Sequence, residues 1–284
     1  LQMGVTRTRV ISCQMKIYGT DQIVYTPNNI PQILIWVKPN SRVLEFGPGM
    51  GYMTRYMKEQ LHCHVVAVEI NPVMAETIAL YAEQVIVSDI DTGSWEQELQ
   101  GRYFDYILFA DVLEHLRDPL GTLQTVVRYG DCILTSVPNI GHSSIILSLL
   151  EGEFEYQNMG LLDDTHIRFF TRKSLVDMTG KCGLTCTDNK DTILMYPSSS
   201  EFHKYYSSHI GASWAIAKTP DSAVYQFVDR WEKKNDTRYR RKPYKISFVR
   251  YLKIIVSEVI RRVVFSSKHL RENKRIRRFW QQVK

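Results

Sequence analysis

The sequence predicts an α/β fold, a doubly wound and mostly parallel sheet of seven strands, and three observations carry that prediction. Short apolar runs alternate with helix-like segments five times over about 100 residues, between Val43 and Val137. Connections of that length join parallel neighbours as right-handed crossovers. A glycine-rich turn, Gly47-Pro48-Gly49-Met50-Gly51, interrupts the chain directly after the first apolar run. Finally, the acids Glu45, Glu69, Asp89 and Asp111 each fall where a strand should end, on the edge of a parallel sheet where ligands sit.

In chain order, residues 5–40 lead in, with an apolar helix-like segment at Gln32 to Val37 and a break at Lys38-Pro39-Asn40-Ser41. The first strand runs through Val43 to Phe46 and the first helix through Tyr52 to Gln60. His64 to Ile70 is a continuous apolar run, the signature of a central strand buried on both faces. Asn71-Pro72 opens a helix, Val73 to Ala82, with proline at its first position, and Val85 to Val87 is the third strand. Phe104 to Ala110 is the fourth. Asp118-Pro119 starts a helix through Tyr129, and Cys132 to Val137 is the fifth strand. Residues 138–170 are too long for a simple connection and read as a lid or helical insert. Thr171 is an N-cap for a helix to about Lys181. Gly183 to Thr187 is the sixth strand, and Ala223 to Val228 is preferred over Thr192 to Tyr196 as the seventh. Tyr196 to Thr219 carries no readable pattern.

Composition sets bounds on function. A hydrophobic content of 44% is that of a globular chain. Cys13, Cys63, Cys132, Cys182 and Cys186 are an odd set without C-x-x-C spacing and with no secretory leader before them, so the expectation is reduced thiols in the cytoplasm. No apolar run reaches the ~18 residues of a membrane span. Charge is divided: residues 237–284 hold sixteen Lys and Arg against two acids, a net +14, which leaves −8 for residues 1–236. The expected organisation is therefore a catalytic domain over 3–236 and a basic extension over 237–284. From Ile246 to Phe265 apolar residues recur at three and four, with Arg250, Lys253, Arg261 and Arg262 mostly between them, the pattern of an amphipathic basic helix. It suits an anionic membrane surface, a partner subunit or its own domain, and nucleic acid is disfavoured by the acidic body.

The spacing of the glycines separates two cofactor classes. A dinucleotide fingerprint reads G-x-G-x-x-G and requires glycine at 52, where Tyr52 stands. The observed Glu45-x-Gly47-x-Gly49-x-Gly51 instead resembles the first motif of class I S-adenosyl-L-methionine (SAM) dependent methyltransferases. Glu69, 18 residues past Gly51, is placed to accept from two ribose hydroxyls. Asp89 is placed to accept from the adenine amino group with Ile70 and Ile90 flanking the ring, or else to cap a turn. Glu45, beneath the turn, is expected to hold the turn's N–H groups or to meet the methionine ammonium.

Asp111-Val112-Leu113-Glu114-His115-Leu116-Arg117-Asp118-Pro119 resembles the fourth-strand motif of the same family, and by that resemblance Ala110 and Asp111 line the methionine portion while His115 lies near the acceptor. Leu161 to Thr171, with Ser136-Val137-Pro138-Asn139, resembles a segment of bacterial methyltransferases that accompany glycosyltransferases in polysaccharide and O-antigen synthesis. The resemblance covers roughly residues 30–190 and implies a SAM-dependent O-methyltransferase, with S-adenosyl-L-homocysteine (SAH) as product and a glycan, sugar nucleotide or related hydroxylated acceptor. A glycosyltransferase partner and a peripheral place on the inner membrane face follow from it. A methyltransferase-like binding module without catalysis is the alternative, and a nicotinamide oxidoreductase is disfavoured by Tyr52.

A hydroxyl is a poor nucleophile while protonated, so a base of near-neutral pKa is sought. His166 is the leading candidate, with His115 and Asp111. If the stretch is extended, His166 and Arg168 share one face, opposite Ile167 and Phe169. Asp163 or Asp164 would orient the imidazole or bind sugar hydroxyls. Asp111, Glu114, His115, Asp163, Asp164 and His166 include metal-ligand types without a compact spacing, and no bound metal is expected.

Overall fold

The computed structural model of the chain describes residues 31–194, 215–216, 218–233, 243–245, 247, 249, 252 and 256. By contacts the chain divides into two compact units. The first comprises residues 1–140, 155–193 and 224–242, and the second comprises 141–154, 194–223 and 243–284.

The first unit is built on one sheet of eight strands. These are β1 (Arg42–Phe46), β2 (His64–Glu69), β3 (Gln84–Val87), β4 (Tyr106–Ala110), β5 (Cys132–Pro138), β6 (Thr185–Asn189), β7 (Thr192–Ile193) and β8 (Val224–Glu232). The order across the sheet is β3-β2-β1-β4-β5-β8-β6, with β7 also on β8. The first five strands pair in parallel, whereas β8 runs antiparallel to β5, β6 and β7. Both candidates for the last strand therefore form, and the sheet has one more strand than the expected seven. A two-residue strand leaves no periodic signal, and β8 extends to Glu232 because its later residues pair back along β5.

The parallel strands are apolar runs because both their faces are covered. Val43, Leu44, Val65, Val66, Ala67, Val68, Ile107, Leu108, Phe109, Ile133 and Leu134 are all buried. Phe46 and Phe109 face each other in register across β1 and β4, with rings stacked at 4.6 Å, and Trp95 meets Phe46 edge-on at 5.0 Å. This aromatic cluster stiffens the strand ends that carry the site.

The helices start as their caps dictate. Helix α1 (Tyr52–Glu59) begins at Gly51 with no side-chain cap, leaving its first turn to whatever lies beyond the strands. Asn71 accepts from the N–H groups of Val73 and Met74 to open α2 (Pro72–Ile78), and Asp118 accepts from Gly121 N to open α3 (Pro119–Val126). The expected helices to Ala82 and Tyr129 are thus three residues or more too long, since both segments end in looser turns.

In the second unit, α4 (Ser143–Leu150) lies inside the expected insert and is capped by His142. That imidazole is fully buried between Ser144 Oγ at 2.6 Å and the Leu194 carbonyl at 2.8 Å. Burial pushes its pKa down to about 4. Back in the first unit, α5 (Arg172–Lys181) starts at Thr171 with a reciprocal capping box to Ser174. Residues 1–30, the stretch 195–214, Cys13 and most of the basic segment 246–265 lie outside the described residues. Among the described residues no helix is long and apolar enough to cross a membrane.

Candidate functional site

The strand order reverses between β1 and β4, and the crevice beyond their carboxyl ends is where such sheets take ligands. The glycine turn occupies it. Gly47, Gly49 and Gly51 all have positive φ, between 57° and 74°. At Gly47 the requirement is double, because a Cβ there would also stand 2.8 Å from Val112 Cγ2. At Gly49 a Cβ would meet nothing within 4 Å, so the face of the turn is open to a ligand approaching the backbone.

Two buried carboxylates stand behind the turn. Glu69, closing β2, accepts from Gly49 N at 3.3 Å and from Asn71 N at 2.9 Å. The turn is thus held by Glu69, so holding the turn's N–H groups, one of the two roles expected of Glu45, falls to Glu69 instead. Glu45 accepts from Thr54 Oγ1 at 2.6 Å instead, because Thr54 on the first turn of α1 faces back onto β1. The other oxygen of Glu45, Oε1, is buried with no hydrogen-bond partner among the described residues. Burial raises the Glu45 pKa to about 7, against the Thr54 hydrogen bond and with help from the nearby Glu69. Burial also raises Glu69, opposed by the backbone N–H groups it accepts from. An orphaned, half-protonated carboxylate beside an open glycine face fits a cationic ligand group, the ammonium of a methionine moiety included.

Asp89, half-buried, caps a short 3-10 turn, accepting from Asp91 N at 3.0 Å. Ile70 is 58% exposed at the end of β2, and Ile90 is half-buried. Asp91, which sequence reasoning passed over, binds the backbone N–H groups of Arg117 and Asp118 and ties this turn to the one after β4.

The second half of the site follows β4. Ala110 is half-buried, and Asp111 has φ +55°, a left-handed conformation that costs a non-glycine residue on the order of 1 kcal/mol. Ser136 Oγ donates to Asp111 at 3.1 Å and Gln226 Nε2 donates to the same oxygen. Asp111 as a residue is open to solvent, yet its carboxyl is packed round with protein, which pushes its pKa up to about 6 against both hydrogen bonds. Gln226 was missed in the sequence because it sits on the antiparallel strand; a polar residue within the apolar run of β8 was the available signal.

Glu114 is fully buried, and its main-chain carbonyl accepts from Ile167 N and Arg168 N at 3.0 and 2.9 Å. This pins the 161–170 segment to the turn after β4. His115 and His166 then meet with rings 4.9 Å apart, edge to face. The expectation that His166 and Arg168 share a face is not met. The chain turns at Asp163, which accepts from Thr165 N and Oγ1, and residues 166–169 after it form no regular strand. His166 is 9% exposed, whereas Arg168 lies in the open with its guanidinium on the Arg117 carbonyl. Ile167 and Phe169 are exposed as well. Nor is the pKa of His166 near neutral: burial and the adjacent His115 push it down to about 4. Burial lowers His115 too, opposed by its hydrogen bond to Thr165, and raises Glu114 well above the usual carboxylate range, with Asp111 adding to the effect.

Known proteins resemble this chain in sequence and in fold. An O-methyltransferase of ubiquinone biosynthesis from Cereibacter sphaeroides is 26% identical over 157 residues, which span 54% of this chain and 63% of that relative. Among solved structures, a sarcosine dimethylglycine methyltransferase from Galdieria sulphuraria shares the fold at a TM-score of 0.52, with 14% identity over 81% of this chain and 98% of the other. The magnesium protoporphyrin IX methyltransferase of Synechocystis, with bound SAH, does so at 0.52, with 12% identity over 79% and 94%. Residues 25–189, more than half of the chain, match the family described as the methyltransferase domain, and the chain belongs to that family.

Proposed function

We propose that this chain is a SAM-dependent O-methyltransferase whose acceptor is a hydroxyl of a glycan, a sugar nucleotide or a related small molecule. The observation that carries the reading is the pair of buried carboxylates behind an open glycine turn, with Glu45 Oε1 awaiting a cation. A nucleotide pyrophosphate would instead meet two buried acids there. When bound, SAM supplies a methyl group on a sulfonium. Glu45 pairs with its ammonium, Glu69 takes the ribose hydroxyls, and Asp89 with Ile70 and Ile90 borders the adenine. Gly47, Gly49, Gly51 and Ala110 let the cofactor lie against the backbone.

The acceptor enters beside Asp111 and His115. Asp111, with a pKa near 6, takes the hydroxyl proton at close to neutral pH, and Gln226 and Ser136 fix its orientation. His115 faces the same opening, while His166 stands behind it as a neutral imidazole. Holding the hydroxyl in line with the methyl group supplies much of the rate. The name of the Cereibacter relatives favours oxygen as the atom methylated. The sugar class rests on the resemblance of residues 161–171 to glycosyltransferase-associated enzymes, as does a glycosyltransferase partner.

The test is calorimetric titration of the full chain with SAH and with NAD. Micromolar binding of SAH and none of NAD is expected, and the reverse overturns the assignment.

A further inference from the structure

Three side chains of the first unit converge with no hydrogen bond among them. Glu114 and His115 follow β4, His166 arrives from the 161–170 segment, and one ligand-capable atom of each lies within 4.8 Å of the others. Glu114 Oε2 is buried with no hydrogen-bond partner among the described residues, and Oε1 stands 4.0 Å from His166 Nε2, too far for a hydrogen bond.

The tautomers make the conflict sharper. His166 Nδ1 lies 3.4 Å from the Leu161 carbonyl, which only an N–H can meet, so the hydrogen-bond network assigns the proton to Nδ1 and a lone pair at Nε2 faces the carboxylate. His115 Nδ1 lies 3.2 Å from both the Thr165 carbonyl and Thr165 Oγ1; that hydroxyl donates to Asp163 Oδ1, so the network places the proton on Nδ1 and leaves Nε2 as the acceptor. Two imidazole lone pairs and the oxygens of a buried carboxyl group thus face one another, and a cation among them, or a proton on Glu114, relieves the repulsion.

We propose that Glu114, His115 and His166 form a binding site for a divalent first-row transition metal. Two imidazoles and one carboxylate suit Zn²⁺, with a fourth position left open. The backbone holds the ligands in place: Ile167 N and Arg168 N bind the Glu114 carbonyl, and His115 binds the Thr165 carbonyl. Asp111 is not among the residues whose ligand-capable atoms lie within 4.8 Å of one another, and its Oδ1 accepts from Ser136 and Gln226. Metal-ligand bonds of about 2.0–2.2 Å need the three atoms closer together than they stand, a contraction that side-chain rotation supplies. The metal's use rests on the proposed methyl transfer, because an acceptor hydroxyl in the open position becomes more acidic. Binding itself does not.

The test titrates the full chain, first freed of metal by a chelator, with Co²⁺ and follows the visible absorption. We expect one equivalent to bind and Zn²⁺ to displace it. Glu114→Gln and His115→Ala should each weaken binding by more than ~100-fold, beyond what loss of a supporting contact costs. SAH affinity, measured in parallel, should stay within a few-fold. His115 is exposed, so its variant keeps the core intact if the Glu114 substitution does not fold. No absorption band from a chain that binds SAH overturns the metal site and leaves the methyltransferase reading standing. Binding unchanged by either substitution overturns the placement. A chain that binds Co²⁺ at these residues and not SAH keeps the site and removes the purpose given to it.

Discussion

If Glu45 meets the cofactor's ammonium as proposed, it couples cofactor binding to pH. Its pKa is about 7 in the folded protein and near the ordinary 4.5 in the unfolded chain. Between those values the folded state holds the extra proton, so without ligand its contribution to stability is present below pH 4.5 and is lost as the pH rises through 7. A ligand ammonium reverses the preference, since it needs the carboxylate ionised. SAH should therefore bind more tightly as the pH rises from 6 to 8 and release about half a proton at pH 7, measurable by calorimetry in buffers of different ionisation enthalpy. Glu45→Gln should remove the proton release and weaken binding about tenfold or more, as expected when a buried charged hydrogen bond is lost. Release that persists in this variant would place the titrating group elsewhere. The place of Glu45 beneath the glycine turn was legible in the sequence, but its partner was not. Which way Thr54 turns depends on how α1 lies against β1, a fact of packing that spacing does not contain.

Among the elements, β8 and α5 are joined by a clamp at Arg172. Its guanidinium contacts Asp229 and Asp191, the latter at 2.6 Å, and lies 4.0 Å over the Phe227 ring. All three charged side chains are largely buried. Arg172→Met removes one cation from two buried carboxylates and should cost ~3–5 kcal/mol in urea unfolding, whereas an exposed pair would be worth ~1 kcal/mol or less. Restoring stability by adding Asp229→Asn would identify the uncompensated charge as the cause. The parallel strands could be read beforehand because burial on both faces writes a continuous apolar run, as in Val65 to Val68. The contribution of β8 could not. Its burial follows no regular period, its polar members Gln226 and Asp229 serve partners more than 50 residues away, and its direction is set by β5. The meeting of His115 with His166 was hidden for the same reason, being made by the Glu114 carbonyl and the turn at Asp163.

For the whole molecule, the basic segment extends the proposed function to a surface. Val249, Leu252 and Val256 are helical at spacings of three and four, and are 63%, 42% and 53% exposed. With the +14 charge of residues 237–284, we propose that this pattern suits an anionic membrane interface, which would take the apolar stripe while its headgroups met the Lys and Arg. The full chain should sediment with vesicles containing phosphatidylglycerol and not with neutral ones. Leu252→Glu together with Val256→Glu should reduce that binding by about tenfold or more. Equal sedimentation of the double variant would reject the stripe as the contact.

The place of β8 bears on how the molecule is made. It lies between β5 and β6, pairing Cys132 with Glu232 and Thr185 with the same residue. During synthesis the first five strands can associate as they emerge, but β5 keeps a long apolar edge and β6 has no neighbour until the chain has grown past residue 232. Closing a loop of about 100 residues is slow compared with local pairing. Folding therefore waits on its last strand, and the nascent protein carries an open edge that invites aggregation until that strand arrives.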